Sequence, residues 1–287
     1  MTGKQADLRT SGIFGADLRL RTLSASVLGI GSLAVTWLDG WAFSGLVAIM
    51  AALVLREWRR LIGIEQSHTV AVAMLAAAIA AILAGHQFGA GAAGIVSVIL
   101  AAAAALHAAA TSPRPAVPWA AAGVLYAIIP AVAMQSLRGS NASGLAAVLF
   151  VFAVVWSTDV FAYMTGRAIG GPRLMAVISP KKTWAGAIGG LGGALVGAAV
   201  VCSVAAVPHI WPVLVLAAAA SIVAQAGDLT ESWIKRRFSV KDSGGLITGH
   251  GGVMDRVDGL VAAATFLAVV GWIHSGGGDA AEGVLIW

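Results

Sequence analysis

The stretch Gly227–Asp258, GDLTESWIKRRFSVKDSGGLITGHGGVMDRVD, concentrates charge in a chain that otherwise has little of it. It holds five of the thirteen acidic residues and five of the eighteen basic ones. One long apolar run ends where it begins, and another begins where it ends. Asp228, Asp242, Asp255 and Asp258 are thereby gathered with Lys235, Arg236, Arg237, Lys241 and Arg256 at one boundary between apolar and polar surroundings. Carboxylates of this kind can hold a hard cation, and the basic side chains can hold phosphates.

Working outward, the rest of the sequence supplies the apolar surroundings. Of the 287 residues, 59% are hydrophobic and 11% charged, against roughly 25% charged in a soluble domain. Apolar runs near the length of a membrane span recur throughout. They lie at about 22–38, 40–55, 69–84, 91–110, 117–136, 144–165, 184–206, 210–227 and 259–274. The expectation is an all-α, polytopic integral membrane protein with about nine transmembrane helices, forming a single domain over 1–287. The breaks carry glycine and proline, as at Pro113–Pro115 and Pro208–Pro212. The first apolar run has no clear small-residue cleavage site after it, so it reads as a retained span. The lone cysteine, Cys202, lies inside an apolar run and can form no internal disulfide.

Charge placement orients the spans. With the N-terminus cytoplasmic, the inner segments hold Lys4, Arg9, Arg19 and Arg21, then Arg56, Arg59 and Arg60, then Arg114. The next inner segments hold Arg167, Arg173, Lys181 and Lys182, and finally the five cations of the opening stretch, so that only Arg138 falls outside. Trp37, Trp41, Trp58, Trp119, Trp184, Trp211 and Trp272 fall near span ends, as interfacial tryptophans do. The net charge of +5 flanks spans instead of forming a soluble basic face, which argues against a nucleic-acid partner and for the lipid bilayer.

Several groups can carry chemistry. If the eighth helix continues past Asp228, then Asp228, Glu231, Ser232 and Lys235 share one face; a solvated helix end is the alternative. Asp255 and Asp258, three apart at the start of the ninth span, are either a helix cap or, with Asp228, an oxygen-ligand site for Mg²⁺. The metal is the preferred reading. Between these acids, Lys241-Asp242-Ser243-Gly244-Gly245 and Gly249-His250-Gly251-Gly252 allow close approach of a ligand. His250 suits hydrogen bonding to a phosphate or carboxylate better than metal ligation, with a structural role equally open. In Ser179-Pro180-Lys181-Lys182-Thr183-Trp184, Ser179 can cap a helix with Pro180 at its first position, making an anion site with Lys181 and Lys182; topology lysines are the alternative. Asp159 interrupts the sixth span and is costly there. It could serve a metal, a cytosine amine or Lys181 and Lys182.

Together these blocks resemble the phosphatidate cytidylyltransferase (CDP-diacylglycerol synthase) family. The resemblance rests on Ser232-x-x-Lys235-Arg236, Lys241-Asp242, His250-Gly251-Gly252 and Asp255-Arg256-x-Asp258. Upstream, Thr158-Asp159-x-x-Ala162-Tyr163-x-x-Gly166-Arg167 and the Ser179–Trp184 block resemble the same family's other blocks. The likeness covers about 157–260. Thr248 and Ala185 depart from it, at a position where the family usually has Pro or Gly and at one where Glu is common.

The resemblance implies transfer of CMP from CTP to phosphatidic acid, giving CDP-diacylglycerol and pyrophosphate, with Mg²⁺ and also K⁺ as candidate cations. The expected division is N-terminal helices over 1–140 and a catalytic part over 141–275, with loops 166–183 and 228–258 cytoplasmic by the charge placement. The setting implied is the cell's inner membrane, and a homodimer is an open assembly state. Asp228, Asp255 and Asp258 are then the metal ligands and, with Lys241 and His250, the catalytic set. Lys181, Lys182, Ser232, Lys235, Arg236, Asp242, Arg256 and Asp159 become the substrate-binding set. The Lys181/Lys182 block is assigned to the phosphatidate phosphate and the Asp228–Asp258 belt to the triphosphate. Two rivals remain: a CTP-dependent transferase for another lipid phosphate, and a transporter. Transporters place their charges near mid-membrane, not at one face.

Overall fold

The computed structural model describes residues 26–38, 40–64, 68–111, 117–139, 141–245 and 251–287. Each of the nine apolar runs carries a helix. They are α1 (Ser26–Leu38), α2 (Gly40–Leu61), α3 (His68–Phe88), α4 (Ala90–Thr111), α5 (Val117–Arg138), α6 (Ala142–Ile169), α7 (Trp184–Val204), α8 (Ile210–Arg237) and α9 (Met254–His274), followed by a short α10 (Ala280–Leu285). Among the described residues, seven helices are long and apolar enough to cross a membrane: α2, α3 and α5 to α9. The chain is therefore a predominantly helical, multi-pass membrane protein. Exposed Val72, Ile99, Val196 and Val215 are the surface such a protein presents to lipid.

The packing follows from side-chain size. Along α7, glycines face α6. A Cβ on Gly190 would lie 2.9 Å from the Thr158 carbonyl oxygen, and one on Gly193 would lie 2.7 Å from that of Ser157. Only a glycine stripe lets these two backbones approach so closely, and close approach is what drives helix association in lipid. Elsewhere a large ring fills the space. Trp58 of α2 is buried against α5, where Gly123 leaves room for it, and its Nε1 donates to the Trp119 carbonyl at 2.8 Å. The central layer is α5, which packs on α2, α3, α4, α6 and α9.

The contacts between helix ends sort the bundle into two faces. One gathers the C-terminal ends of α2 and α8 and the N-terminal ends of α5, α7 and α9. The opposite one gathers the C-terminal ends of α1, α3 and α5 with α10. Arg138, the exception to the charge rule, is buried at that far face and donates from Nε to the Thr36 carbonyl at 2.7 Å, closing the last turn of α1.

Ser179 does not begin a helix. Ser179–Thr183 is a strand, β2, paired antiparallel with β1 (Arg173–Met175). The helix start lies at Thr183, whose side chain accepts from the Gly186 N–H at 3.1 Å. A Ser-Pro pair looks like a cap, but here a second N-capping residue stands four positions on. Pairing with Arg173–Met175 and a bond from the Trp184 N–H to the Pro172 carbonyl at 3.1 Å keep the intervening residues extended.

Candidate active site

Helix α8 does continue past Asp228, to Arg237. Asp228, Glu231, Ser232 and Lys235 therefore lie on one face of its final turns. Opposite them stands the first turn of α9 with Asp255 and Asp258. Gly227 sets the approach of the two helices. A Cβ there would lie 2.6 Å from that of Ala262 and 2.8 Å from the Asp258 carbonyl oxygen. The glycine next to Asp228 is thus what lets Asp228 and Asp258 meet.

One carboxylate oxygen from each of Asp228, Glu231 and Asp258 lies within 4.8 Å of the others. Glu231 is fully buried, with Oε2 2.6 Å from Lys235 Nζ. Its Oε1 has no hydrogen-bond partner among the described residues. Lys182, brought in by β2, forms an ion pair with Asp228. Two carboxylates about 4 Å apart repel by about 4 kcal/mol at an effective dielectric constant near 20. Lys182 and Lys235 offset part of this, and a partnerless buried oxygen remains. An all-oxygen, negatively charged set with that spare acceptor suits a hard divalent cation.

Asp255 is placed differently. Its Oδ1 takes a bond from Lys235 Nζ at 2.6 Å. Its Oδ2 accepts from the Ser243 N–H at 3.1 Å and the Gly252 N–H at 2.9 Å, and lies 3.0 Å from Ser243 Oγ. Both oxygens are thus engaged by the protein, and Asp255 fastens the ends of the loop between α8 and α9. Gly251 begins the return into α9 with φ +83°, a left-handed conformation that glycine adopts freely. In the carboxylate cluster Glu231 stands where the sequence reading set Asp255. Helical spacing puts Glu231 on the face of Asp228, but nothing in the motif distinguishes it from a salt-bridge partner of Lys235.

The remaining candidates fall around this centre. Asp159 of α6 is exposed and within electrostatic reach of Asp228, Lys182 and Arg256. Beside it, Thr158 Oγ1 and Ser221 Oγ lie 2.9 Å apart, tying α6 to α8. Ser232 is half-buried, and Arg236 and Arg256 are exposed. Arg236 donates to the Val240 carbonyl at 3.4 Å. Lys181, Lys241 and Asp242 are exposed on the hairpin and the α8–α9 loop. His250 lies outside the described residues. One acid escaped the sequence reading. Glu57 is buried at the end of α2 and accepts from Ser243 Oγ and from the N–H groups of Val253 and Met254. Its place among Arg56, Arg59 and Arg60 reads as membrane-boundary charge.

Such an arrangement can hold a cation among three carboxylates and surround it with ammonium and guanidinium groups, as transfer between two phosphate-bearing substrates requires. Comparison with known proteins gives the family. A model of the cytidylyltransferase family matches residues 19–274. The chain is 42% identical over 264 residues to the phosphatidate cytidylyltransferase of Brucella abortus, covering 91% of this chain and 95% of that one. It is 44% identical over 130 residues to the Haemophilus influenzae phosphatidate cytidylyltransferase, covering 44% and 45% of the two chains. With the Staphylococcus haemolyticus enzyme of the same name it shares 40% over 142 residues, 46% of this chain and 51% of that one. A family model that takes in nearly the whole bundle, and a relative alike from end to end, make this chain a member of the cytidylyltransferase family, a membrane nucleotidyltransferase.

Proposed function

We propose that the protein is a CTP:phosphatidate cytidylyltransferase of the inner membrane, with its site facing the cytoplasm. A phosphate oxygen of phosphatidic acid attacks the α-phosphorus of CTP. The new P–O bond forms as the bond from the α-phosphorus to the β-bridging oxygen breaks, and pyrophosphate leaves with the electron pair. A phosphate monoester is already ionised at neutral pH, so no strong general base is needed. The task of the protein is positioning and charge neutralisation. Lys182 and Lys235, half-buried beside the acid cluster, supply fixed positive charge. Arg236, Arg256, Lys181 and Lys241 surround it at the exposed rim, where anionic substrates arrive.

Mg²⁺ is the cation we assign, and Asp228, Glu231 and Asp258 are the residues that would hold it. Bound there, it would neutralise charge on the phosphates of CTP. The observation that carries this reading is the convergence of three carboxylates and two lysines at one end of the bundle, within the blocks that resemble the family. A transporter reading lacks such support, because the charge cluster sits at helix ends.

The test is pyrophosphate release from CTP by the purified protein in mixed micelles, with phosphatidic acid, a polyprenyl phosphate or no acceptor. Release dependent on phosphatidic acid is expected; equal release with the polyprenyl phosphate alone would move the assignment to another lipid. Orientation has its own check. Val177, at the exposed tip of the hairpin, as Val177→Cys, should resist an impermeant thiol reagent in intact cells and react in inverted vesicles.

A further inference from the structure

Glu57 is only 4% exposed. A carboxylate buried in a membrane bundle must find partners. Those the structure gives it come from the α8–α9 loop and the start of α9. The Val253 N–H donates to Oε1 at 2.8 Å, and the Met254 N–H donates to Oε2 at 2.8 Å. Ser243 Oγ lies 3.0 Å from the same Oε2.

Those two N–H groups are among the donors that a helix start leaves unpaired. The N-cap position of α9 is Val253, which offers no capping side chain. Glu57 therefore caps the helix from almost two hundred positions upstream. The loop lies directly against it. A Cβ on Gly244 would come 2.7 Å from Oε1, and one on Gly252 would come 2.6 Å from Oε2. Glu57 is itself anchored, because Trp58 donates to the Trp119 carbonyl at 2.8 Å and locks the end of α2 to α5. The Ser243 hydroxyl stands 3.0 Å from both Glu57 Oε2 and Asp255 Oδ2, so its single proton joins this brace to the one Asp255 makes.

We infer that Glu57 is a positioning residue, which fixes the depth and rotation of the first turn of α9 so that Asp258 meets Asp228 and Glu231. The N-terminal helices are then part of the catalytic framework, since one of them sets where a cluster carboxylate stands. Displacement of about 1 Å in such a constellation costs on the order of 10²-fold in rate.

The inference rests on the proposed reaction only for its activity assay. Glu57→Gln preserves shape. Whichever way its amide turns, its NH₂ faces the Val253 N–H or the Met254 N–H, donor against donor. We expect kcat to fall about 10²-fold, substrate-free Mn²⁺ binding by electron paramagnetic resonance to weaken about tenfold, and amide exchange at Val253 and Met254 to quicken. Ser243→Ala removes one bond and should do the same to a smaller degree, which covers the case where Glu57→Gln does not insert. Unchanged Mn²⁺ affinity and exchange in the folded variants would overturn the inference, even if less protein accumulates. A wild-type protein that transfers no CMP would sink the activity assignment, and the Mn²⁺ and exchange comparison would still judge Glu57.

Discussion

The two ends of the bundle use polar residues in opposite ways. At the far end they close the structure on itself. Asn141 caps α6 through the Gly144 N–H at 2.8 Å and donates to Asp279 Oδ2 at 2.9 Å. Asp279 in turn caps α10 through the Ala281 N–H at 2.8 Å. His274 Nδ1 meets the Gly283 carbonyl at 2.9 Å. Most of these groups are neutral, and most of their bonds go to a nearby backbone. At the site end, charge faces charge, and one carboxylate oxygen of Glu231 is left over. A helix end that needs only closure takes neutral caps; the end to which we assign anionic substrates and a cation keeps an acceptor in reserve.

The sharpest way to break the comparison is Asp258→Asn. It keeps size and removes one charge from the acid cluster. Activity should drop about 10³-fold, the scale of losing one preorganised electrostatic group, while the thermal midpoint in detergent holds or rises as repulsion is relieved. Combining it with Asp228→Asn should cost little more, because groups acting as a unit are non-additive. Near-normal turnover at limiting Mg²⁺ would take Asp258 out of the site.

Asp255→Asn should be milder in rate and harsher in stability. The carboxylate is nearly buried and satisfies Lys235, Ser243 and Gly252 together. Breaking a buried pair costs about 3 kcal/mol, and loss of a group that holds Lys235 and the α8–α9 loop in place beside the proposed cation should cost on the order of 10²-fold in activity. The discriminating measurement is unfolding in detergent beside kcat. A large rate loss with no stability loss would make Asp255 a metal ligand, as the sequence reading has it.

How much of this was legible beforehand differs by level. The bilayer dictates span length, so each apolar run could be read as a helix. The motif residues on α8 declared themselves because helical spacing needs no tertiary knowledge. What escaped depends on the chain folding back. Glu57 stands in sequence beside three arginines at a span end, and only the return of Ser243, Val253 and Met254 onto α2 gives it partners. The spending of both Asp255 oxygens hangs on the loop conformation. The hairpin was hidden because a three-residue strand has too few positions to show alternation, and Ser-Pro mimics a helix start.

Lys182→Ala tests the division of labour between the basic groups. Lys182 pairs with Asp228 inside the cluster, and Lys241 stands on the exposed loop. The change should raise the KM for phosphatidate about tenfold, since loss of uniform binding appears in KM. Lys241→Ala should raise that for CTP by less, as exposed ionic contacts are weak. A larger effect of Lys182→Ala on CTP would reverse the assignment.

The smallest effect belongs to the far end. Gln135 Nε2 donates to Ser44 Oγ at 2.9 Å and to the Ile82 carbonyl at 3.2 Å, and Ser44 meets His86 Nδ1 at 3.2 Å. This network joins α5, α2 and α3 without touching the site. Gln135→Leu keeps much of the volume and removes the donors. Side-chain hydrogen bonds inside membrane bundles average only about 0.6 kcal/mol, because the separated helices find other partners. A stability loss of about that size in detergent unfolding is expected, with kcat and both KM values unchanged. A tenfold fall in kcat with folding intact would mean that the far end transmits to the acid cluster through α5, which packs against both α2 and α9. The contrast between a self-contained end and a reactive one would then have to give way to a single coupled unit.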